Sequence, residues 1–414
     1  MALPDALRAL RHRDFRIFWL AQLLSLTGTW LQSLGQAWLV LELTGSPLRL
    51  GLVSALQFGP FLVLSFVAGV VVDRLPKRRL ILVTQTLLAC QAAILAALVT
   101  TGAVRYWHVA ALALAAGIVN TLDMPARQSF VVEMVGRDDL HNAIALNSAA
   151  FNAARAVGPA VAGLLIGGLG VGAAFAINAL SFLAPVAALT VIRVEGFGGT
   201  RDRGTMRDEI AEGLTYAART PRILFVLGLT LVVSLFVFNY NVVVPLFARE
   251  VLRLDARGLG FLMASLGAGA LVGAVALAVH ARERPSLGSI IGAGVVLSVA
   301  VLAMAAVRDV RLAMLLLFTM GASGIVFMAS CNTTLQLGAP DTLRGRVMSL
   351  YSFVFVGVTP IGSFLMGWIA EHAGVPVAYA VAGSGSLVAV VALAVWRRAG
   401  ARYPRRNADG TGLS

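Results

Sequence analysis

Charge is scarce in this sequence. Asp, Glu, Lys and Arg make up 13% of its 414 residues, about half the ~25% of an ordinary soluble domain, so most of the chain is not built to meet water. Lysine is almost missing. The single lysine, Lys77, follows Pro76 and precedes Arg78. That excludes a Gly-Lys-Ser/Thr phosphate loop, and with it ATP-driven pumping by this polypeptide alone. Cysteine is nearly absent too: Cys90 and Cys331 fall within apolar runs in opposite halves of the chain, where core thiols sit, and they suit neither a disulfide framework nor a metal pair. The five histidines, at 12, 108, 141, 280 and 372, have no metal-ligand spacing. No nucleophile–base constellation stands out, so nothing points to an enzyme, a cofactor or a bound metal.

What fills the chain is hydrocarbon. Hydrophobic residues are 58% of the total and the mean hydropathy is +0.85. Apolar runs of about 18 residues or more mark membrane-spanning helices. Twelve occur, near 15–43, 48–73, 79–101, 106–128, 142–168, 171–192, 221–248, 257–280, 286–307, 311–337, 345–370 and 374–397. The expected fold is an all-α polytopic membrane protein with 12 transmembrane helices in two pseudo-symmetric six-helix bundles. The bundles cover 1–192 and 221–398, joined by a cytoplasmic linker, 193–220, and followed by a basic tail, 399–414. Within the linker, 206–219 reads as a short amphipathic helix.

The basic residues orient the spans. Of 33 Lys and Arg, 25 fall on the side of the N terminus, 7 on the other, and one, Arg155, inside a span. The positive-inside rule then puts both termini in the cytoplasm. Arg8, Arg11, Arg13 and Arg16 lead into an apolar segment too long for a cleavable signal. The net charge of +13 therefore reflects topology and attraction to anionic lipid; no soluble domain carries a nucleic-acid-binding patch. Arginine in place of lysine and the richness in Ala, Gly, Val and Leu suggest a bacterium with a GC-rich genome, hence its inner membrane.

Polar residues inside the spans are the candidates for function. Arg155 lies near the middle of the fifth span, flanked by Phe151 and Asn152. A guanidinium at that depth costs at least ~2.5 kcal/mol, so it must face protein, water or ligand. Either an anionic or strongly polar substrate neutralises it, or carbonyls and amides, Asn152 among them, do so. In the first span, Gln22, Ser25, Thr29, Gln32 and Gln36 are spaced 3, 4, 3, 4, which places them on one helix face. Such a stripe can serve interhelical hydrogen bonds, but five in register favour a wet lumen. Phe238, Tyr240 and Asn241 of the seventh span complete the expected substrate-binding set with Gln22, Gln32, Gln36, Phe151, Asn152 and Arg155. Aromatics with scattered amides suit a medium-sized amphipathic organic molecule. Mid-membrane acids are few, and Asp123 and Glu42 are the proton-coupling candidates.

Three motifs carry a family resemblance. Between spans two and three, Gly69-Val-Val-Val-Asp73-Arg74-Leu-Pro76-Lys77-Arg78-Arg79 resembles the loop signature of the major facilitator superfamily, with Pro76 in place of its second glycine. Ala154, Gly158, Pro159, Ala162 and Gly163 resemble the superfamily's antiporter signature, with alanine for glycine at 154 and 162. The segment Met124-Pro-Ala-Arg-Gln-Ser resembles the secretion-type branch that includes the enterobactin exporter. The halves also repeat: Gly158, Gly163 and Phe175 match Gly362, Gly367 and Tyr379 at a displacement of 204, and Leu50-Gly51 matches Leu259-Gly260. The resemblance implies a secondary transporter working by alternating access, with no cofactor, and proton-coupled efflux of a siderophore, antibiotic or metabolite. It further implies a conformational latch built from Gly69, Asp73, Arg74, Lys77, Arg78, Asp123 and Arg127, with Asp123 paired to Lys77, and a helix bend at Gly158, Pro159 and Gly163. The expected partners are a small-molecule substrate, protons and the bilayer, and the expected unit is a monomer. The alternatives are a lipid or lysolipid flippase and a non-transporting receptor or scaffold on the same fold.

Overall fold

With no water in the bilayer core, a spanning segment must satisfy its own backbone, and helices do so. A computed structural model describes residues 5–136, 138–196, 206–279, 286–340 and 343–402. Twelve long helices carry the fold: α1 Arg13–Thr44, α2 Pro47–Arg74, α3 Lys77–Thr100, α4 Tyr106–Val135, α5 Leu140–Leu169, α6 Val171–Val191, α7 Pro221–Val251, α8 Ala256–Val279, α9 Leu287–Met304, α10 Val310–Gly338, α11 Arg344–Ala373 and α12 Val375–Arg402. Eleven are long and apolar enough to cross a membrane by length and composition. The twelfth is α1, whose 32 residues span comfortably but whose amide and hydroxyl stripe dilutes its hydropathy. A separate helix, Met206–Arg219, occupies the expected linker. The Gly-rich start of that linker and the basic tail beyond residue 402 lie outside the described residues.

Turns between spans are short and chemically determined. Gly45 ends α1 in the left-handed conformation, φ 61°, with its N–H on the Leu41 carbonyl. Ser46 then caps α2 by accepting from the Arg49 N–H, with Pro47 in the first turn. Twelve crossings return the chain to the side on which it began, here the terminal face; the opposite side is the far face.

Helices α1–α6 pack among themselves, as do α7–α12, and the halves meet mainly through two crossings, α5 on α8 and α2 on α11, with smaller contacts of α7 on α1 and α2. Repeat-related glycines make both. A Cβ on Gly163 would sit 2.6 Å from the Gly260 Cα, and one on Gly51 would sit 2.6 Å from the Ser363 carbonyl oxygen and 3.1 Å from the Gly367 Cα. Only glycine lets backbones approach so closely. The internal match of Gly51 with Gly260 and Gly163 with Gly367 is thus a pair of equivalent interfaces. Phe175 and Tyr379, also matched, are both fully buried.

Two spans of the second half are irregular. Helix α7 breaks at residues 237–239, between Pro221–Phe236 and Tyr240–Leu246, and α11 contains a π-turn at Phe353–Gly357. At the α7 break, the Asn239 amide donates to the Leu235 carbonyl at 2.8 Å, satisfying a carbonyl that the interrupted helix leaves without its usual N–H.

Candidate functional site

Both irregular segments border one cavity. It has a volume of about 240 Å³ and lies between the halves, walled by residues of α1, α2 and α5 on one side and of α7, α8, α10 and α11 on the other. Trp30 and Phe151 form an aromatic pair on the first-half wall, ring centroids 6.2 Å apart. Phe238 sits edge-to-face with Phe355 at 5.5 Å and with Tyr240 at 5.9 Å on the opposite wall. Met263 and Met328 add deformable apolar surface. Broken helices beside a mid-membrane site are how transporters bring backbone and polar side chains to a ligand.

The polar lining divides into satisfied and unsatisfied groups. Ser54 of α2 donates to Ser363 Oγ at 3.1 Å, and Ser363 donates to Asn239 Oδ1 at 3.1 Å, a chain that ties the halves together. The Tyr240 hydroxyl is buried with no hydrogen-bond partner. Arg155 is the one charged residue among the described lining. No described residue forms an ion pair or hydrogen bond with its guanidinium.

Of the expected substrate-binding residues, Phe151, Arg155, Phe238, Tyr240 and Asn241 line this cavity. The Asn152 side chain lies outside the described residues. The three glutamines of α1 do not line it. Gln32 is buried in the first bundle, donating to Gln91 of α3 at 2.9 Å and accepting from Asn178 of α6 at 2.6 Å. Gln36 donates to Gln57 of α2 at 2.9 Å, and Gln22 sits half-buried nearer the terminal face. Gln32 and Gln36 face neighbouring helices, where α2, α3 and α6 supply partner amides, while the Gln22 side-chain oxygen is buried without a hydrogen-bond partner. Trp30, Ser54 and Ser363 carry no sequence signal of their own for this site, and Asn239, part of the polar Asn239-Tyr240-Asn241 run of span seven, joins the expected set.

At the terminal face, the expected Asp123–Lys77 pair does not form. Lys77 is buried and donates to Glu133 at 2.5 Å, one helical stretch closer to the membrane edge on α4. Asp123 is completely enclosed: Thr84 Oγ1 and Gln85 Nε2 donate to its Oδ1 at 2.6 and 2.9 Å. Arg127 Nε lies 2.7 Å from Oδ2 as an ion contact whose N–H is not aimed at that oxygen, which lacks a donor. The i,i+4 pair thus forms despite Pro125 within the turn. Arg78 donates to the Leu189 carbonyl at 2.7 Å, and the Lys77 and Arg78 amides donate to the Gly196 and Glu195 carbonyls. Asp73 is half-buried and Arg74 exposed at the end of α2, while a Cβ on Gly69 would meet nothing within 4 Å. The second acid candidate, Glu42, is exposed near the far face and accepts from Trp38 Nε1 at 2.7 Å.

Gly158 packs on Trp30, where a Cβ would lie 2.7 Å from the Trp30 Cβ, and Pro159 sits inside α5 with its carbonyl oxygen 3.0 Å from the Cβ position of Gly260. Alongside any bend they permit, these residues set how closely α5 meets α1 and α8.

A model of the transmembrane secretion effector family matches residues 5–402. The multidrug efflux pump Tap of Mycolicibacterium fortuitum is 30% identical over 348 residues, 81% of this chain and 84% of that protein. Macrolide efflux protein A of Streptococcus pyogenes is 24% identical over 92% of this chain and 94% of its own length. The staphyloferrin A transporter of Staphylococcus aureus is 28% identical over 36% of this chain and 38% of its own. Among solved structures, the nucleoside transporter NupG aligns with a TM-score of 0.73 at 11% identity, over 93% of this chain and 99% of that one. A bacterial homologue of the lysosomal transporter Spinster, solved inward-facing and unoccupied, aligns with a TM-score of 0.67 at 13% identity, over 95% and 96%. At these identities the two structures speak to the fold alone.

Proposed function

The chain belongs to the transmembrane secretion effector family, multi-pass membrane transporters of the major facilitator type, and on that premise we propose that it exports a medium-sized amphipathic organic molecule in exchange for protons. The observation that carries this reading is the cavity between the halves, aromatic on both walls and polar at Arg155, Tyr240 and Asn241. Export, rather than uptake, follows the multidrug and macrolide efflux relatives. Alternating access about the two glycine crossings would expose the cavity to each face in turn, with the monomer as the working unit. The terminal face is assigned to the cytoplasm of a bacterial inner membrane by the positive-inside rule.

Asp123 is the preferred coupling group. It is the fully enclosed carboxylate of the two candidates, and Arg127 beside it supplies the opposing charge that a proton would release. Glu42, exposed near the far face, has no comparable enclosure. The test is accumulation of amphipathic antibiotics in a deletion strain, with and without a protonophore, together with counterflow in proteoliposomes. The reading expects lower accumulation when the protein is present, abolished by the protonophore. Asp123→Asn should leave counterflow intact while removing its response to a pH gradient. No change in accumulation and no counterflow would refute transport itself.

A further inference from the structure

We propose that the cavity selects an organic anion with a flat apolar body, held through the Arg155 guanidinium and the Tyr240 hydroxyl. The inference rests on the transporter reading and names its substrate class. The described lining carries one charge, positive, and no carboxylate. Its other polar groups differ in what they still need. Asn239, Ser363 and Ser54 satisfy one another, so they ask little of a ligand. The Tyr240 hydroxyl is buried and unpartnered, and the guanidinium, a five-donor group without an acceptor, has no described partner.

The guanidinium can only donate, and the Tyr240 hydroxyl has a proton to donate as well as an oxygen that can accept. Their complement is an acceptor-rich, negatively charged head such as a carboxylate or sulfonate, which a guanidinium can bind in bidentate fashion. A neutral ligand would leave the cation uncompensated inside the membrane, and a cationic one would add repulsion at low dielectric. The rest of the molecule is set by the walls. Trp30 and Phe151 from the first half and Phe238 and Phe355 from the second all line the cavity, aromatic surface that suits a ring system. Charge also bears on direction. Under an inside-negative potential, each negative charge that leaves gains about fiftyfold in equilibrium distribution per 100 mV, so an anion is easier to expel than to import.

The test compares 2-naphthoate, 2-naphthamide and 2-naphthylmethylamine, one ring system in three charge states. Calorimetry on the purified full-length protein in detergent should find naphthoate bound at least about tenfold more tightly than the amide, as expected for a charge-assisted pair, with the amine weakest. Arg155→Gln should collapse the acid-to-amide ratio to near one while Arg155→Lys keeps part of it. Tyr240→Phe, which retains the ring, should weaken naphthoate a few-fold and the amide less. If Arg155→Gln fails to fold, the wild-type ranking still decides. Equal binding of acid and amide, or tighter binding of the amine, would overturn the anion assignment. Tighter binding of dihexanoyl phosphatidylglycerol than of naphthoate would overturn the flat-body assignment and favour a lipid head. Counterflow separates this inference from the reading beneath it. Transport of the amine or amide with no preference for the acid would leave the transporter standing and remove the anion. Anion-selective binding without any counterflow would do the reverse.

Discussion

The two ends of α2 present the same helix face to very different surroundings. Gly51 and Gly69 are about five helical turns apart, so they point the same way. At the far face, Gly51 is pressed against the α11 backbone; at the terminal face, a Cβ on Gly69 would touch nothing. Helices α5 and α8 repeat the contrast: Gly163 and Gly260 touch at the far end, while Ala145 and Ala278, about five turns closer to the terminal face, are exposed. Hydrogen bonds also join the halves at the far face. Glu371 of α11 accepts from Ser46 Oγ at 2.8 Å and from the Leu48 N–H at 3.0 Å, capping α2 from the other half, and Arg257 donates to the Gly167 carbonyl at 3.0 Å. The cleft between the halves is closed beyond the cavity, at the far face. The closed end combines glycine-to-glycine backbone contact with a buried apolar cluster shared by the halves, in which Leu50, Val53 and Ile166 join Leu259, Met263 and Met366.

That contrast can be broken most severely at Gly260. Leucine there drives a side chain into the Gly163 backbone and should cost the closed far end about 1–3 kcal/mol of overpacking. Spin labels at Arg49 and His372 should then report longer distances, and transport should fall sharply with the protein still monodisperse. Glu371→Ala should act in the same direction but more weakly, about 1 kcal/mol for a lost helix cap, and Glu371→Gln, which keeps an acceptor, less again. Gly69→Ala sharpens the comparison from the terminal face. It should raise thermal stability slightly, by at most ~1 kcal/mol of helix propensity, while slowing turnover if this face must close later in the cycle. The smallest effect lies at the N terminus, where Arg8 and His12 both bond Asp139 and the Ala9 N–H donates to Asn142 at 2.8 Å. The His12 hydrogen bond, helped by Arg8, holds the Asp139 carboxyl below the usual carboxylate range. Its clasp is therefore fully present above that range and is lost as pH falls through the lowered value. Proteolysis of the N-terminal segment should accelerate only in that acid window, and Asp139→Asn should make it insensitive to pH.

Much of the fold could be read from composition and run length. The twelve spans, the internal repeat and the linker helix follow from hydrocarbon periodicity and a handful of displaced glycines, and both glycine crossings were implicit in those matches. The site was harder. Arg155 could be found because a charge inside a span has few explanations, and the Phe238–Asn241 run because polar residues clustered in a greasy helix. The α1 glutamines misled for a physical reason: spacing fixes which residues share a face but not what the face meets. Their partners Gln57, Gln91 and Asn178 sit singly on three other helices, with no stripe to announce them. Lys77 went to Glu133 instead of Asp123 because Thr84, Gln85 and Arg127 already surround Asp123, an enclosure formed by α3 and α4 together.

The central claim is one hydrated chamber between the halves, reached from the terminal face in the state described and from the far face after exchange. It is tested most directly by a lone cysteine at Met328, in the cavity wall, with Cys90 and Cys331 replaced. A membrane-impermeant thiol reagent should label it from the terminal face at rest, with naphthoate protecting it, and from the far face only when Gly260→Leu loosens the far-end crossing. Labelling from neither side, or equal labelling from both sides in the otherwise native protein, would contradict the account.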